Sequence, residues 1–80
     1  MSIKIRRFEW DRYNVEHLKQ RHPEYDLELL EEIVRMAKTY KRLGVDRYGQ
    51  TVYGANRGDL TVLFNLKGNQ TARIFSVREE

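Results

Sequence analysis

The apolar residues of this chain change their spacing at Gly44, and this change constrains the fold more than any other feature. In residues 12–37 apolar residues recur every three or four positions, which is the period of a helix with one buried face. After Gly44, three β-rich runs are separated by short turns that contain glycine. The sequence therefore predicts an α+β domain, with helices in its first half and a small antiparallel sheet in its second.

A first helix is predicted over about Arg12 to Arg21. Asp11 offers a side chain that can cap its start, and Pro23 closes it by forcing the preceding residue out of helical geometry. Two stripes with helical spacing run along this segment. One holds Asn14, Leu18 and Arg21, and the other holds Tyr13, His17 and Gln20.

A second helix is predicted after Asp26, on a single apolar stripe that is the clearest pattern in the chain. Basic residues towards its end complement the helix dipole. Its end stays open, because residues 39–43 fit either a last helical turn or a β segment. The stripe is Leu27, Leu30, Ile33, Val34 and Ala37, and the basic residues are Arg35, Lys38, Lys41 and Arg42.

The strands are predicted from alternation of apolar and polar residues. Ile3 to Phe8 alternates in this way and is expected to join a three-stranded meander formed by Gln50 to Ala55, Leu60 to Leu66 and Thr71 to Val77. Residues 56–59 and 67–70 supply its two hairpin turns. The predicted order is β-α-α-β-β-β, with Leu60, Val62, Phe64 and Leu66 on one face of the middle strand.

The length and composition exclude several classes of protein. Eighty residues bury too little surface for two cores, so residues 1–80 are predicted to form one domain. The absence of cysteine excludes disulfides and thiolate metal sites, and suits a reducing cytoplasm. No apolar run approaches the roughly 20 residues that span a bilayer, and the first residues are too polar for a secretory signal. We therefore expect a soluble cytoplasmic protein without a membrane partner.

The charges are distributed unevenly, although the net charge is only +3. From residue 35 to residue 78 there are nine basic residues and two acidic ones. Such a segment favours phosphate-rich partners, because basic side chains displace condensed counterions. A solvated sheet face is the alternative, and the charge alone leaves both open.

The residue types favour metal-free RNA cleavage. The sequence has no metal-ligand cluster and no phosphate-binding glycine loop, so we expect neither a metal nor a cofactor. In metal-free cleavage the 2′-hydroxyl attacks its own phosphate, which requires a base, an acid and cations. His22, beside Arg21 at the helix end, is the preferred proton-transfer group, although a histidine that only caps the helix fits equally well. His17 is interpreted as a packed or surface residue.

The remaining candidates lie in the basic half or near the first helix. Arg73 and Arg78 flank the last strand with Ser76 between them, and regular alternation would put Arg73 on the opposite face from the other two. Tyr40, Tyr48 and Tyr53 can stack on bases or pack on the sheet. Trp10 is interpreted as a core anchor that joins strand to helix.

Four short motifs occur in an order that resembles the BrnT toxins of bacterial type II toxin–antitoxin systems. That family opens with a Phe-x-Trp-Asp segment, has a Lys-His-Gly step between its helices, and closes with an Arg-Ile-Ile-Ser-Ala-Arg-like strand. The matching segments are Phe8-Glu9-Trp10-Asp11, Arg21-His22, Asp26-Leu27-Glu28 and Arg73-Ile74-Phe75-Ser76-Val77-Arg78.

The resemblance implies a RelE-like fold, a ribonuclease that arrests growth, and a neighbouring antitoxin such as a BrnA-like ribbon-helix-helix protein. Carried over by position, Arg21, His22, Arg73, Ser76 and Arg78 match the family's motif residues. Together with Arg57 and Tyr53 of the basic half, these residues give a predicted catalytic set and a predicted RNA-contacting set. The first is His22, Arg73 and Arg78; the second is Arg21, Arg57, Tyr53 and Ser76.

Two other hypotheses fit the same residues. One is a non-catalytic module of this fold that binds an antitoxin-like protein or nucleic acid. The other is a structural role in a homo-oligomer, because the predicted sheet has an open edge.

Overall fold

A computed structural model describes residues 4–79 and confirms the α+β class, with two helices and a five-stranded sheet. The strands lie in the order β1-β5-β4-β3-β2, and all neighbours are antiparallel except β1 and β5, which are parallel. A 3₁₀ turn at Gly68–Gln70 joins β4 to β5. In chain order the elements are β1 (Arg7–Phe8), α1 (Arg12–Arg21), α2 (Leu27–Met36), β2 (Tyr40–Val45), β3 (Thr51–Arg57), β4 (Leu60–Lys67) and β5 (Thr71–Glu79).

The predicted β-α-α-β-β-β order lacked one strand, because the open segment after α2 forms β2. The helix ends at Met36, and Ala37 already has an extended backbone with φ −64° and ψ 137°. The hydroxyl of Tyr40 then donates a hydrogen bond to the carbonyl of Val34, one of the last helix carbonyls without an intrahelical partner. The basic residues 38, 41 and 42 therefore follow the helix and do not complement its dipole.

The first strand is shorter than predicted and differs in direction. Only Arg7–Phe8 pairs with the sheet, and Ile3 lies outside the described residues. The pairing with β5 is parallel, so the sheet is mixed and the prediction of a purely antiparallel sheet was wrong. The strand ends at Phe8, as predicted, because Asp11 caps α1 and turns the chain away from the sheet.

The core lies between the helices and one face of the sheet, the helix face. On β4, Val62 and Phe64 are fully buried, and Leu60 and Leu66 pack against the core, which confirms the predicted apolar face. Burial of each such side chain contributes about 1.5–3 kcal/mol, so this layer is the main source of stability. The other members of the buried cluster are Leu18, Leu30, Ile33, Val34, Ala55, Ala72, Ile74 and Val77.

Trp10 joins the first strand to the helices, as predicted. Its ring packs against the core, and its indole nitrogen Nε1 donates a hydrogen bond of 2.6 Å to Oε1 of Glu31 on α2. The polar edge of a largely apolar ring is thus satisfied, which is the usual arrangement for a buried tryptophan.

Asn14 fixes α1 along the edge of β5, just beyond the end of β1. Its backbone N–H donates to Asp11 Oδ1 at 3.0 Å, and its Oδ1 accepts from the Asp11 N–H at 2.7 Å, a reciprocal helix cap. Its Nδ2 donates to the carbonyls of Glu9 at 3.0 Å and Ile74 at 3.1 Å. The amide thereby extends the pairing of the β5 edge after β1 has ended.

Arg73 and Arg78 of β5 were predicted to lie on opposite faces of the sheet, and a β-bulge at Phe75 makes that prediction wrong. Leu63 pairs with Ser76 and Phe64 pairs with Ile74, so Phe75 is an extra residue in the ladder. The bulge shifts the alternation by one position, and Arg73 therefore shares a face with Ser76 and Arg78. This face, opposite the helix face, is called the outer face below.

Candidate functional site

An open groove of about 1050 Å³ lies between α1, the outer face of the sheet and the turn that joins β2 to β3. We call it the outer groove. Its walls carry aromatic, basic and acidic side chains together. The lining residues that matter here are Glu9, Asp11, Tyr13, His17, Asp46, Arg47, Tyr48, Asn65, Lys67, Arg73 and Phe75.

One wall is the polar stripe of α1. Tyr13, His17 and Gln20 are exposed and line the groove, while Leu18 on the neighbouring stripe is buried. Residues three and four positions apart share one side of a helix, so the predicted second stripe is the one that faces the groove. Tyr13 is 82% exposed, an unusual state for a large aromatic side chain.

The opposite wall is the β2–β3 turn, which Asp46 holds in shape. Its Oδ1 accepts hydrogen bonds from the backbone N–H groups of Tyr48 at 2.8 Å and Gln50 at 3.0 Å. The same groups, the Gln50 N–H first, lower the pKa of the Asp46 carboxyl below its ordinary value of 3.8. The turn presents Arg47 and Tyr48 to the groove, and Tyr48 is 80% exposed.

Asn65 ties that turn to the floor of the groove. The residue is 4% exposed, and its Nδ2 donates to the Thr51 carbonyl at 3.0 Å and to Asp46 Oδ2 at 3.4 Å. A buried amide with both donors satisfied orders its neighbours. The two walls are therefore held by Asn14 on one side and Asn65 on the other.

The floor carries two cations that are paired with carboxylates. Lys67 Nζ lies 2.8 Å from Glu9 Oε1. Arg73 Nε lies 3.4 Å from the same oxygen, and Arg73 Nη2 lies 3.0 Å from Asp11 Oδ2. Among residues 4–79, nothing accepts a hydrogen bond from Arg73 Nη1, so this fixed guanidinium keeps two N–H donors for another partner.

Asp11 is the residue that connects this floor to α1. The pKa of its carboxyl lies below 3.8, first because the Asn14 N–H donates to it and also because the Arg73 guanidinium lies beside it. The carboxylate is thus charged at neutral pH and holds Arg73 in place while it caps the helix.

The charges of the groove are mixed, but most of its acidic groups already have partners. Glu9 and Asp11 pair with the floor cations, Glu16 pairs with Arg12 at 3.0 Å, and Asp46 is bound by its own turn. Within the described part of the chain, His17 and Arg47 form no ion pair. These two groups and Arg73 Nη1 are available to an anionic ligand.

The predicted site residues lie in three separate places. Arg73 lines the outer groove, and Ser76 and Arg78 follow it along the same face of β5. Arg21 and His22 lie at the C-terminal end of α1. Tyr53 and Arg57 belong to the helix face, because their partners on β4 are Phe64 and Leu60.

His22 terminates α1 and is half-buried. Its backbone N–H donates to the Leu18 carbonyl at 2.8 Å, and its ring lies 6.3 Å from the ring of Tyr25. The Tyr25 hydroxyl donates to Glu79, and this bond raises the pKa of Tyr25 to about 12. His22 therefore belongs to a contact between the α1–α2 connection and the end of β5, and it does not line the outer groove.

The two residues on the helix face have structural partners. The ring of Tyr53 stacks on that of Phe64, with centroids 5.8 Å apart. Arg57 lies 3.6 Å from Glu32 of α2 across a partly exposed surface. Both are placed to stabilise the packing of α2 on the sheet.

Comparison with known proteins leaves the site to be interpreted from its geometry alone. No family model, curated protein or solved structure matches this chain. Within residues 4–79 no helix is long and apolar enough to cross a membrane. The same residues contain no cluster of three histidine or acidic side chains that could hold a metal ion.

Sequence reasoning missed His17, Tyr13, Arg47 and Lys67 as members of one site. The spacing of Tyr13 and His17 was a usable signal, because it puts both on one side of α1. Nothing in the sequence indicates that this side meets the outer face of the sheet, since that depends on how Asn14 docks the helix on β5.

Proposed function

We propose that the chain is a metal-independent endoribonuclease toxin of the BrnT kind, and that it binds single-stranded RNA in the outer groove. One observation carries the proposal: an exposed histidine, an oriented arginine and two exposed tyrosines line the same groove. Metal-free RNA cleavage requires proton transfer and charge stabilisation, and base stacking holds a single strand in place.

In this account His17 is the proton-transfer group. Imidazole accepts and releases protons readily near neutral pH, so it can deprotonate the 2′-hydroxyl or protonate the leaving 5′-oxygen. It lies on a rigid helix that lines the same groove as Arg73, which suits a group that must meet a phosphate. His17 thus replaces His22 as the preferred proton-transfer group, because His22 lies outside the groove.

Arg73 and Lys67 stabilise the phosphate in this account. Asp11 and Glu9 fix the guanidinium, whose remaining Nη1 donors can hold a phosphate oxygen as negative charge develops during the attack. Arg47 supplies a further cation at the rim. Tyr13 and Tyr48, one on each wall, supply ring faces for unpaired bases, which favours single-stranded over duplex RNA.

The test is cleavage of an end-labelled single-stranded RNA in excess EDTA, with His17→Ala and His22→Ala as matched variants. We expect fragments that end in a 2′,3′-cyclic phosphate, and a loss of at least about 100-fold in rate for His17→Ala. If the cleavage rate fell with His22→Ala and not with His17→Ala, the catalytic group would be His22, beside the contact between Tyr25 and Glu79. Absence of cleavage both alone and with ribosomes would refute the nuclease.

A non-catalytic module that binds RNA or an antitoxin-like protein is the second candidate. The pairing of both floor cations with carboxylates favours it, because a phosphate must compete with Glu9 and Asp11 for them. This candidate predicts salt-sensitive RNA binding without product in the same assay. Growth arrest on expression, relieved by co-expression of a neighbouring gene, separates a toxin from a simple binding module.

A further inference from the structure

The exposed apolar side chains of the described residues fall into two groups. Tyr13 and Tyr48 belong to the outer groove. Leu43 and Val45, 44% and 59% exposed, both belong to β2, and Met36 lies just before that strand. The second group has no role in the proposed reaction.

Strand β2 is also the long open edge of the sheet. It ends the strand order, so one of its two backbone edges has no partner among residues 4–79. The edge at the other end is short, because β1 has two residues and Asn14 continues its pairing. An unpaired strand of six residues is a template for one more strand.

The charges of this edge are all of one sign. Lys38, Lys41 and Arg42 are exposed, no acidic residue lies between residues 37 and 45, and none of the three forms an ion pair within the described chain. The register places Lys41 on the outer face and Arg42 on the helix face.

The apolar residues of β2 are divided between the faces in the same way. The Leu43 side chain lies over Gly54 on the outer face, with Cδ1 3.1 Å from the position of an added Cβ. Val45 pairs with Thr51 on the helix face. Each face of the edge thus presents one basic and one apolar side chain to a neighbouring strand.

These features select one kind of occupant. A second copy of this edge would bring Lys41 and Arg42 close to their own equivalents, and like charges on paired strands repel each other. Strand β2 offers no exposed aromatic ring on which an RNA base could stack. Its tyrosine, Tyr40, donates a hydrogen bond to the Val34 carbonyl and packs its ring on Phe64. We propose that the β2 edge binds an extended, acidic segment of a partner protein, which adds a sixth strand to the sheet.

The test is a two-dimensional NMR titration of the whole chain with a synthetic peptide of three Glu-Glu-Val-Val repeats. That pattern offers one acidic and one apolar side chain to each face of β2. We expect saturable shifts of the amide signals of Tyr40–Val45, and no such shifts with the Lys-Lys-Val-Val counterpart. The same sites should stay unshifted with a short single-stranded RNA.

Charge reversal at the edge supplies the matched variants. The double variant Lys41→Glu, Arg42→Glu should weaken binding of the acidic peptide at least about tenfold, and Lys19→Glu on α1 should not. Both should keep the dispersed amide spectrum of a folded chain. Unshifted β2 amides or equal binding of the basic peptide would each overturn the proposal without bearing on cleavage in the outer groove. RNA-induced shifts confined to β2 would overturn both the proposal and the placement of RNA in the groove.

Discussion

At the scale of single residues, two buried asparagines determine the shape of the site. Asn14 is 2% exposed and uses its amide to cap α1 and to satisfy carbonyls of Glu9 and Ile74. Asn65 donates to the Thr51 carbonyl and to Asp46 and so holds the β2–β3 turn. A buried polar side chain costs free energy unless all its hydrogen bonds are made. Each asparagine therefore stabilises the one backbone arrangement that supplies its partners.

Asn14→Ala should lower the free energy of unfolding by about 2–4 kcal/mol, because it removes the side-chain acceptor of the Asp11 N–H in the helix cap and the Nδ2 donor to the Ile74 carbonyl. Asn56→Ala is the control, since Asn56 also donates to a carbonyl, that of Leu60, but is exposed. We expect less than about 1 kcal/mol there. Chemical denaturation of both variants measures the difference, and equal losses would contradict the role assigned to Asn14.

Asp11 gives a prediction about pH. Its folded-state pKa is depressed, so it contributes stability that is present above its ordinary pKa of 3.8 and is lost as the pH falls through the folded value. Asp11→Asn, which keeps a capping side chain, should therefore be less stable than the wild type at pH 7. The difference should shrink below pH 3.8. Thermal unfolding across pH tests this, with Asp59→Asn in the β3–β4 turn as control, and a gap that persists at low pH would contradict it.

At the scale of elements, the end of α2 and the start of β2 are joined by one hydroxyl. Tyr40 and Tyr53 both pack on Phe64, at centroid distances of 5.9 and 5.8 Å, but in the described chain only the Tyr40 hydroxyl has a hydrogen-bond partner. Tyr40→Phe should cost about 1 kcal/mol, and Tyr53→Phe should cost close to nothing. Denaturation of the two variants compares them directly, and a reversed order would show that the bond to Val34 is unimportant.

The elements also show what the sequence can and cannot predict. The apolar stripe of α2 and the alternation of β4 are local patterns, so their positions and buried faces were predictable. The bulge at Phe75 is set by pairing with β4, which no local pattern of β5 records. The parallel pairing of β1 and the strand character of residues 40–45 likewise depend on contacts made elsewhere in the chain.

At the scale of the whole molecule, the outer groove exists only because α1, β5 and the β2–β3 turn meet. Its members are distributed from residue 9 to residue 75, and they include four acidic and three basic residues. The sequence could place His17 on a polar stripe of α1, but not in the same groove as Arg73. The basic bias of the second half was visible in the sequence, yet the structure distributes six of its nine basic residues between two surfaces, the outer groove and the β2 edge.

Salt dependence tests the groove as an electrostatic site. For single strands, each neutralised phosphate contributes about −0.7 to the slope of log affinity against log salt. Arg47→Ala should therefore reduce the slope of RNA binding by about 0.7, with little change in folding. Lys19→Ala, an exposed base on α1 that does not line the groove, is the control. An unchanged slope for Arg47→Ala would place the RNA elsewhere.

Mapping a bound strand by NMR tests whether nucleic acid occupies the outer groove. An oligodeoxynucleotide lacks the 2′-hydroxyl nucleophile, so it stays intact during an NMR titration. We predict salt-sensitive shifts at Tyr13, His17 and Tyr48. Shifts confined to the signals of His22, Tyr25 and Glu79, with the groove unchanged, would contradict the account.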